Sequence, residues 1–339
     1  MSEQATATRV VPSRPLVVRA ALRTDVGRVR SENQDFGSFT TADDERGSAP
    51  GGRLLVVADG MGGHRGGATA ARIAAETVKT VYLGSGTEDV AAALQDALTQ
   101  ANARIFAESQ TTPDLKGMGT TTSALVVRGS EAWFAHVGDS RIYLVRGDEI
   151  RQLTDDHSLV ASLVREGLIT QKEAETHPRR NVLQRSMGVG EAVEIDVRGP
   201  YELQELDTFV LCSDGLHGVV SPNEIKDIVL GKDIAAAADA LVSLALERGA
   251  PDNVTVIVAR LERDDFDDEQ TIVDYDAADT LRERGAMAVP AVESTRETRV
   301  APRLLKWALV FVLGLGAAGA WLFFSQQQMF QKQKSSQSR

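Results

Sequence analysis

The sequence predicts an α+β domain followed by an apolar tail segment, and three observations carry that reading. Short uninterrupted apolar runs, Leu54-Leu55-Val56-Val57 and Thr208-Phe209-Val210-Leu211-Cys212, have the length and branching of buried strands. Two long stretches with helical spacing, 68–82 and 90–108, fall together between strand signals instead of alternating with them, which favours layers of sheet and helix over a doubly wound sheet. Near the C-terminus, residues 307–324 contain no charged side chain.

Taken in order, the strand at 54–58 is a continuous apolar run that stops at Asp59-Gly60. The helices at 68–82 and 90–108 follow. Strands at 123–127, 132–136 and 142–146 come next, and the last two read as a hairpin whose turn holds Gly138-Asp139. Asp156 before Ser158 reads as the start of a helix at 158–166, Gly167 as its stop, and Thr170-x-x-Glu173 as the capping box of a second short helix. A strand at 208–212, a helix at 234–248 and a strand at 255–261 complete the region. The chain shows no internal repeat.

The chemistry sits in four acidic segments: Asn33-Gln34-Asp35, Val56-Val57-Ala58-Asp59-Gly60, Cys212-Ser213-Asp214-Gly215 and Pro251-Asp252-Asn253. Asp-Gly and Asp-Asn are common turn formers, so any one of them alone reads as a strand end. Two buried strands that each finish on Asp-Gly, however, deliver two carboxylates to one edge of a core. Several carboxylates gathered from distant positions suit hard cations such as Mg²⁺ and Mn²⁺, which prefer oxygen ligands. Gly60 and Gly215 are expected to let the backbone bend sharply there, and a glycine carbonyl can approach a metal closely.

These segments occur together with Gly27-x-x-Arg30-x-x-Asn33-Gln34-Asp35, Asp59-Gly60-Met61-Gly62-Gly63-His64, Gly117-Met118-Gly119-Thr120-Thr121, His136-Val137-Gly138-Asp139-Ser140-Arg141 and Pro251-Asp252-Asn253-Val254-Thr255. The series resembles the metal-dependent Ser/Thr protein phosphatases of type 2C in their bacterial form, over roughly residues 16–262. The resemblance implies an αββα sandwich, two antiparallel sheets packed together and each covered by helices. It also implies two bound Mn²⁺ or Mg²⁺ ions, with a third held more weakly. In the implied site Asp59 bridges the metals, Gly60 offers its backbone carbonyl, Asp214 and Asp252 hold the first metal, and Asp35 acts on the second, partly through water. Asp139 shares the third with Asp214. Arg30, five residues before Asp35, takes the phosphate-clamping position, where a planar guanidinium suits bidentate contact.

One departure concerns proton transfer. Where the animal enzymes carry a histidine directly after Asp-Gly, this chain has Met61, which transfers no proton; His64 is the nearest histidine by sequence, and a metal-bound water is the alternative. His136, His157 and His177 read as core or loop residues, because oxygen ligands dominate such a site. Residues 154–190 resemble the family's flap, with His177-Pro178-Arg179-Arg180-Asn181 as its return limb.

Composition is compatible with this picture. Apolar residues make up 42% and aromatics only 5%, so the core is expected to be aliphatic. The single Cys212 excludes an internal disulfide and, lying in a core strand, reads as packed and not reactive. The net charge of −11 is concentrated in 263–294, where ten acidic residues face three arginines. No basic stripe points to nucleic acid.

Residues 1–15 are expected to be flexible, and 263–303 to be an acidic disordered linker whose Thr271, Thr280, Thr295 and Thr298 are spacer residues or phosphate acceptors. Residues 304–325 form the expected membrane helix. Its 18-residue uncharged stretch 307–324 spans roughly 27 Å as a helix, with Trp307 and Trp321 near its ends, and a short polar tail follows at 326–339. With a polar opening in place of a signal peptide, the expected location is a single-pass cell-membrane protein with a cytoplasmic catalytic domain.

The expected function is a monomeric phosphatase acting on phosphoserine and phosphothreonine in proteins and opposing a cognate bacterial Ser/Thr kinase. The alternative is a catalytically weak phosphoprotein-binding scaffold with the same fold.

Overall fold

A computed structural model describes residues 16–40, 51–62 and 66–263. The expectations for residues 1–15, His64, the linker beyond Arg263, the apolar segment 307–324 and the tail lie outside the described residues. Among the described residues no helix is long and apolar enough to cross a membrane.

The chain begins with β1 (Leu16–Asp25), β2 (Asp35–Phe39) and β3 (Arg53–Met61), continues through α1 (Gly66–Leu83) and α2 (Val90–Thr111), and returns to strands β4 (Gly119–Thr120), β5 (Thr122–Arg128), β6 (Glu131–Val137), β7 (Arg141–Arg146) and β8 (Glu149–Gln152). The flap carries α3 (Leu159–Arg165) and α4 (Gln171–Thr176). Then come β9 (Asp196–Glu202), β10 (Thr208–Cys212), α5 (Asp214–His217), α6 (Pro222–Leu230), α7 (Ile234–Glu247) and β11 (Val254–Arg263). One sheet has the order β1-β11-β10-β7-β8; the other runs β2-β3-β5-β6-β9, with β4 added to β3. All the pairings are antiparallel.

Three apolar cores separate four layers. Leu54, Val56 and Ala58 of β3 face α1 and α2, while Leu55 and Val57 point the other way, into the core between the sheets. Strand β10 repeats the pattern, with Val210 and Cys212 against α6 and α7 and Phe209 and Leu211 in the inter-sheet core. Because alternate side chains of a strand point to opposite faces, a strand covered on both faces must be apolar throughout. That is why these two segments read as continuous apolar runs. Full burial of each such side chain contributes about 1.5–3 kcal/mol. The small residues Ala70, Ala71, Ala74 and Ala75 line the buried side of α1 and let it lie close to the sheet.

The predicted helices are present, with the first two slightly longer than expected. The capping box Thr170–Glu173 forms as read. Ser158, not Asp156, is the N-cap of α3, because Asp156 is taken by a bidentate pair with Arg141. The expected hairpin around Asp139 does not exist. Strand β6 belongs to one sheet and β7 to the other, so residues 138–140 cross between the sheets. The loop from β1 to β2 makes a second such crossing. Both connections pass the same rim of the sandwich.

Candidate metal centre

The rim where the crossings meet collects the five aspartates of the implied site. Asp35 opens β2 and lies directly opposite Asp59 near the end of β3. Asp214 begins α5 immediately after β10, Asp252 lies just before β11, and Asp139 sits in the crossing from β6 to β7. Arg30 comes from the other crossing. A cleft of about 210 Å³ is lined by Arg30, Asp59, Gly60, Asp139, Asp214 and Asp252 together with Gln34, Met61, Gly62 and Thr121, and by Asn181 and Leu183 of the flap. Asp35 is buried and does not line the cleft.

Gly60 and Gly215 serve contact and not bending. Both lie inside regular elements without the left-handed backbone that favours glycine. A β-carbon on Gly60 would stand 2.1 Å from the Gly67 carbonyl oxygen, and one on Gly215 would stand 1.9 Å from that of Asn253. Glycine is therefore the price of packing two backbones against the acids.

Asn253 ties the Arg30 loop to the site. Its Nδ2 donates to the Val26 and Glu32 carbonyls at 2.9 Å each, and its Oδ1 accepts from the Gln34 N–H at 2.8 Å. Ser213 Oγ donates to Asp35 Oδ2 at 2.6 Å and accepts from the Thr255 N–H at 2.9 Å, linking the two sheets. Thr121 Oγ1 accepts from the Asp59 N–H at 3.0 Å.

The acids raise one another's proton affinity. Desolvation, followed by the charges of Asp35, Asp214, Asp139 and Asp252, pushes Asp59 well above the usual carboxylate range. Desolvation first, with Asp214 and Asp252 adding to it, raises Asp35 to about 7. Asp139 is raised to about 8 by desolvation and then Asp214, and Asp214 to about 6 by desolvation and then Asp252. Arg30 Nη2 holds Asp252 Oδ2 at 2.7 Å. The histidines stay out of this cluster as ligands. His136, buried, and His217, partly buried, are held neutral, lowered to about 4 and about 3, mainly by desolvation.

Among the described residues no three His, Cys, Asp or Glu side chains converge tightly enough to enclose an ion by themselves. Two further observations fit a divalent cation nonetheless. The buried oxygens Asp35 Oδ1 and Asp214 Oδ1 have no hydrogen-bond partner, and an orphaned carboxylate oxygen is costly unless a cation takes it. The acids also offer only hard oxygens, and Gly60 is among the cleft walls.

A family profile described as protein phosphatase 2C matches residues 31–252, about two thirds of the chain. The chain belongs to that family. The serine/threonine phosphatase stp of Listeria monocytogenes serotype 4b is 38% identical over 253 residues, covering 73% of this chain and 96% of the relative. The serine/threonine protein phosphatase PstP of Mycobacterium tuberculosis is 38% identical over 260 residues, 76% of this chain but 48% of PstP. The crystal structure of the M. tuberculosis enzyme superposes with a TM-score of 0.64 at 38% identity, over 72% of this chain and 99% of that one. A catalytic domain of PstP solved with two manganese ions has a TM-score of 0.63 at 36% identity, covering 73% and 99%.

Within this type 2C site, sequence reasoning missed Ser213, Thr121, His217 and the positioning role of Asn253. Ser213 and Asn253 adjoin the acids in sequence, and that adjacency was the one available signal. His217 carried none.

Proposed function

We infer that the protein is a metal-dependent protein Ser/Thr phosphatase that hydrolyses phosphoserine and phosphothreonine. The observation that carries this is the convergence of Asp59, Asp139, Asp214, Asp252 and Arg30 on one cleft, with Asp35 paired to Asp59 at its edge.

In this reading Asp59, Asp214, Asp252 and the Gly60 carbonyl would hold two Mn²⁺ or Mg²⁺ ions. Asp35 would support that pair from behind the cleft, and Asp139 with Asp214 would hold a third, weaker ion. When bound, the cations neutralise phosphate charge and make a water nucleophilic near neutral pH. Arg30 binds and orients the phosphoryl oxygens. Its bond to Asp252 keeps the guanidinium at the cleft mouth until phosphate competes for it. Met61 lines the cleft and offers no proton to the leaving oxygen. Asn181 and Leu183 of the flap line the cleft, and in this reading they contact the peptide beside the phosphorylated residue.

The substrates are phosphoproteins, a Ser/Thr kinase among them. The uncharged stretch 307–324 is proposed as a membrane tether that keeps the catalytic region on the cytoplasmic side. Manganese-dependent release of phosphate from a phosphothreonine peptide by the full chain, absent in Asp59→Asn, tests the activity. Binding of the same peptide without turnover by the wild-type chain would favour the scaffold instead. Retention in the membrane fraction after a high-salt wash, lost when the chain stops at Ser294, tests the tether.

A further inference from the structure

The crossing that carries Asp139 is held from behind by three imidazoles, His136 and His157 buried and His217 partly so. The Gly138 carbonyl accepts from the His157 backbone N–H at 2.7 Å and from His136 Nε2 at 3.0 Å. The Gly138 N–H donates to His157 Nδ1 at 3.1 Å, and the Asp139 carbonyl accepts from His217 Nε2 at 2.9 Å. Gly138 has φ +112°, and a β-carbon there would meet that of Thr121 at 2.5 Å, so the peptide has little room to shift on that side. None of these bonds reaches the Asp139 carboxylate; all of them set the backbone from which it projects.

His157 differs from the other two because it joins the Gly138 peptide to the flap, whereas His136 Nδ1 faces Ser123 Oγ of β5 at 2.9 Å. The His157 carbonyl accepts from the Gln184 N–H at 2.7 Å, and its Nε2 donates to Asp196 Oδ2 at 3.3 Å. The next residue, Ser158, caps α3 and pairs with Leu183, which lines the cleft. The ring does this in one tautomer. Nδ1 must be bare to accept from Gly138, so the proton is on Nε2, where the Asp196 carboxylate receives it.

We infer that His157 is a positioning residue for Asp139, fixing the Gly138 peptide in register with the root of the flap, and that Asp196 selects the tautomer that allows it. The inference rests on the reading of Asp139 as a metal-holding carboxylate.

Mn²⁺ titration of the purified full chain by calorimetry tests it, with Asp139→Ala as the reference. Asp139→Ala should remove the weakest Mn²⁺ step. His157→Ala should weaken that same step about tenfold and leave the tighter steps unchanged, as loss of an outer-shell partner does. His157→Asn, whose Oδ1 replaces Nδ1 as acceptor, should recover part of the loss, and His157→Gln should not. Asp196→Ala should weaken the step in the same direction and serves as the test if His157→Ala fails to fold. A purely structural role would lower the melting temperature without selecting one Mn²⁺ step. If Asp139→Ala changes the isotherm while His157→Ala and Asp196→Ala leave the weak step intact, the inference is overturned. If Asp139→Ala itself changes nothing, the Asp139 reading falls and the inference with it.

Discussion

The two sheets bring acids of different standing to one cleft. On the six-stranded side, Asp35 and Asp59 are cross-strand neighbours, and Asp35 is buried with one oxygen unpartnered. On the five-stranded side, Asp252 is held by Arg30 at 2.7 Å, and its side chain is 30% exposed. Like charges directly opposite on paired strands destabilise a sheet. The Asp35–Asp59 pair is therefore tolerated when a proton or a cation offsets the charge, which is why both carboxyls are raised above the usual range. The Asp252 side carries its own counter-charge and must share it with phosphate. The lesson is that both sheets bring a buried, unpartnered carboxylate oxygen to the cleft, Asp35 Oδ1 and Asp214 Oδ1, while Asp252 alone of the acids there is held by Arg30.

If that contrast is right, the largest effect follows loss of Asp59. Asp59→Asn should lower kcat by about a thousandfold, equivalent to about 4 kcal/mol, while circular dichroism shows an intact fold. Asp252→Asn should cost less, about a hundredfold, since it touches one metal and frees Arg30. Equal losses in steady-state assays would erase the distinction between the two acids. Full activity of Asp252→Asn after metal stripping would remove the metal assignment altogether.

Arg30→Ala comes next. It should raise KM for a phosphopeptide about tenfold with kcat little changed, because a clamp used alike in ground and transition states supplies uniform binding. The same variant should bind Mn²⁺ no more weakly than wild type, since its partner Asp252 is released. A collapse of Mn²⁺ affinity at constant KM would show Arg30 to be a structural support.

A smaller effect concerns stability and pH. Asp35, Asp139 and Asp214 have folded-state values raised to about 7, 8 and 6 from an ordinary 3.8. A raised carboxylate gives stability that is fully present below its unfolded value and lost as pH rises through its folded one. The chelated protein should therefore melt several degrees higher at about pH 5.5 than at about pH 8.5, and Mn²⁺ should narrow the gap. A chelated protein that melts higher at the alkaline end would contradict this.

The smallest effect on turnover is expected for Ser213→Ala. It removes a donor to Asp35 and an acceptor for Thr255, costing about 1–3 kcal/mol of stability in thermal melts while leaving KM near wild type. A KM shift as large as that of Arg30→Ala would place Ser213 in substrate binding.

Much of the scaffold was legible before any coordinates. Strands β3 and β10 announce themselves because two-sided burial forces a continuous apolar run, and α1 and α2 because their apolar spacing is helical. Strands β1 and β2 gave no comparable signal. Arg19 and Arg23 interrupt β1, and β2 holds Gly37 and Ser38, so their strand character comes from pairing with β11 and β3. The hairpin expected around Asp139 failed for a related reason. A short turn between two apolar segments looks the same whether the strands pair with each other or part into different sheets.

The sequence by itself determined the kind of chemistry: which residues carry hard oxygen ligands, where a guanidinium stands near them, and that the fold would bury two strands ending on Asp-Gly. Those properties belong to residue type and local spacing. Tertiary structure alone decided that the β1–β2 and β6–β7 crossings meet at one rim and that Gly60 and Gly215 serve backbone contact. It also decided that Ser213, Asn253, His157 and His217 hold the acids in place. Each of these depends on partners far away in the chain, such as Ser213 with Asp35 and Asn253 with Gln34. Hydrogen bonds of that kind leave no periodicity for a sequence to display.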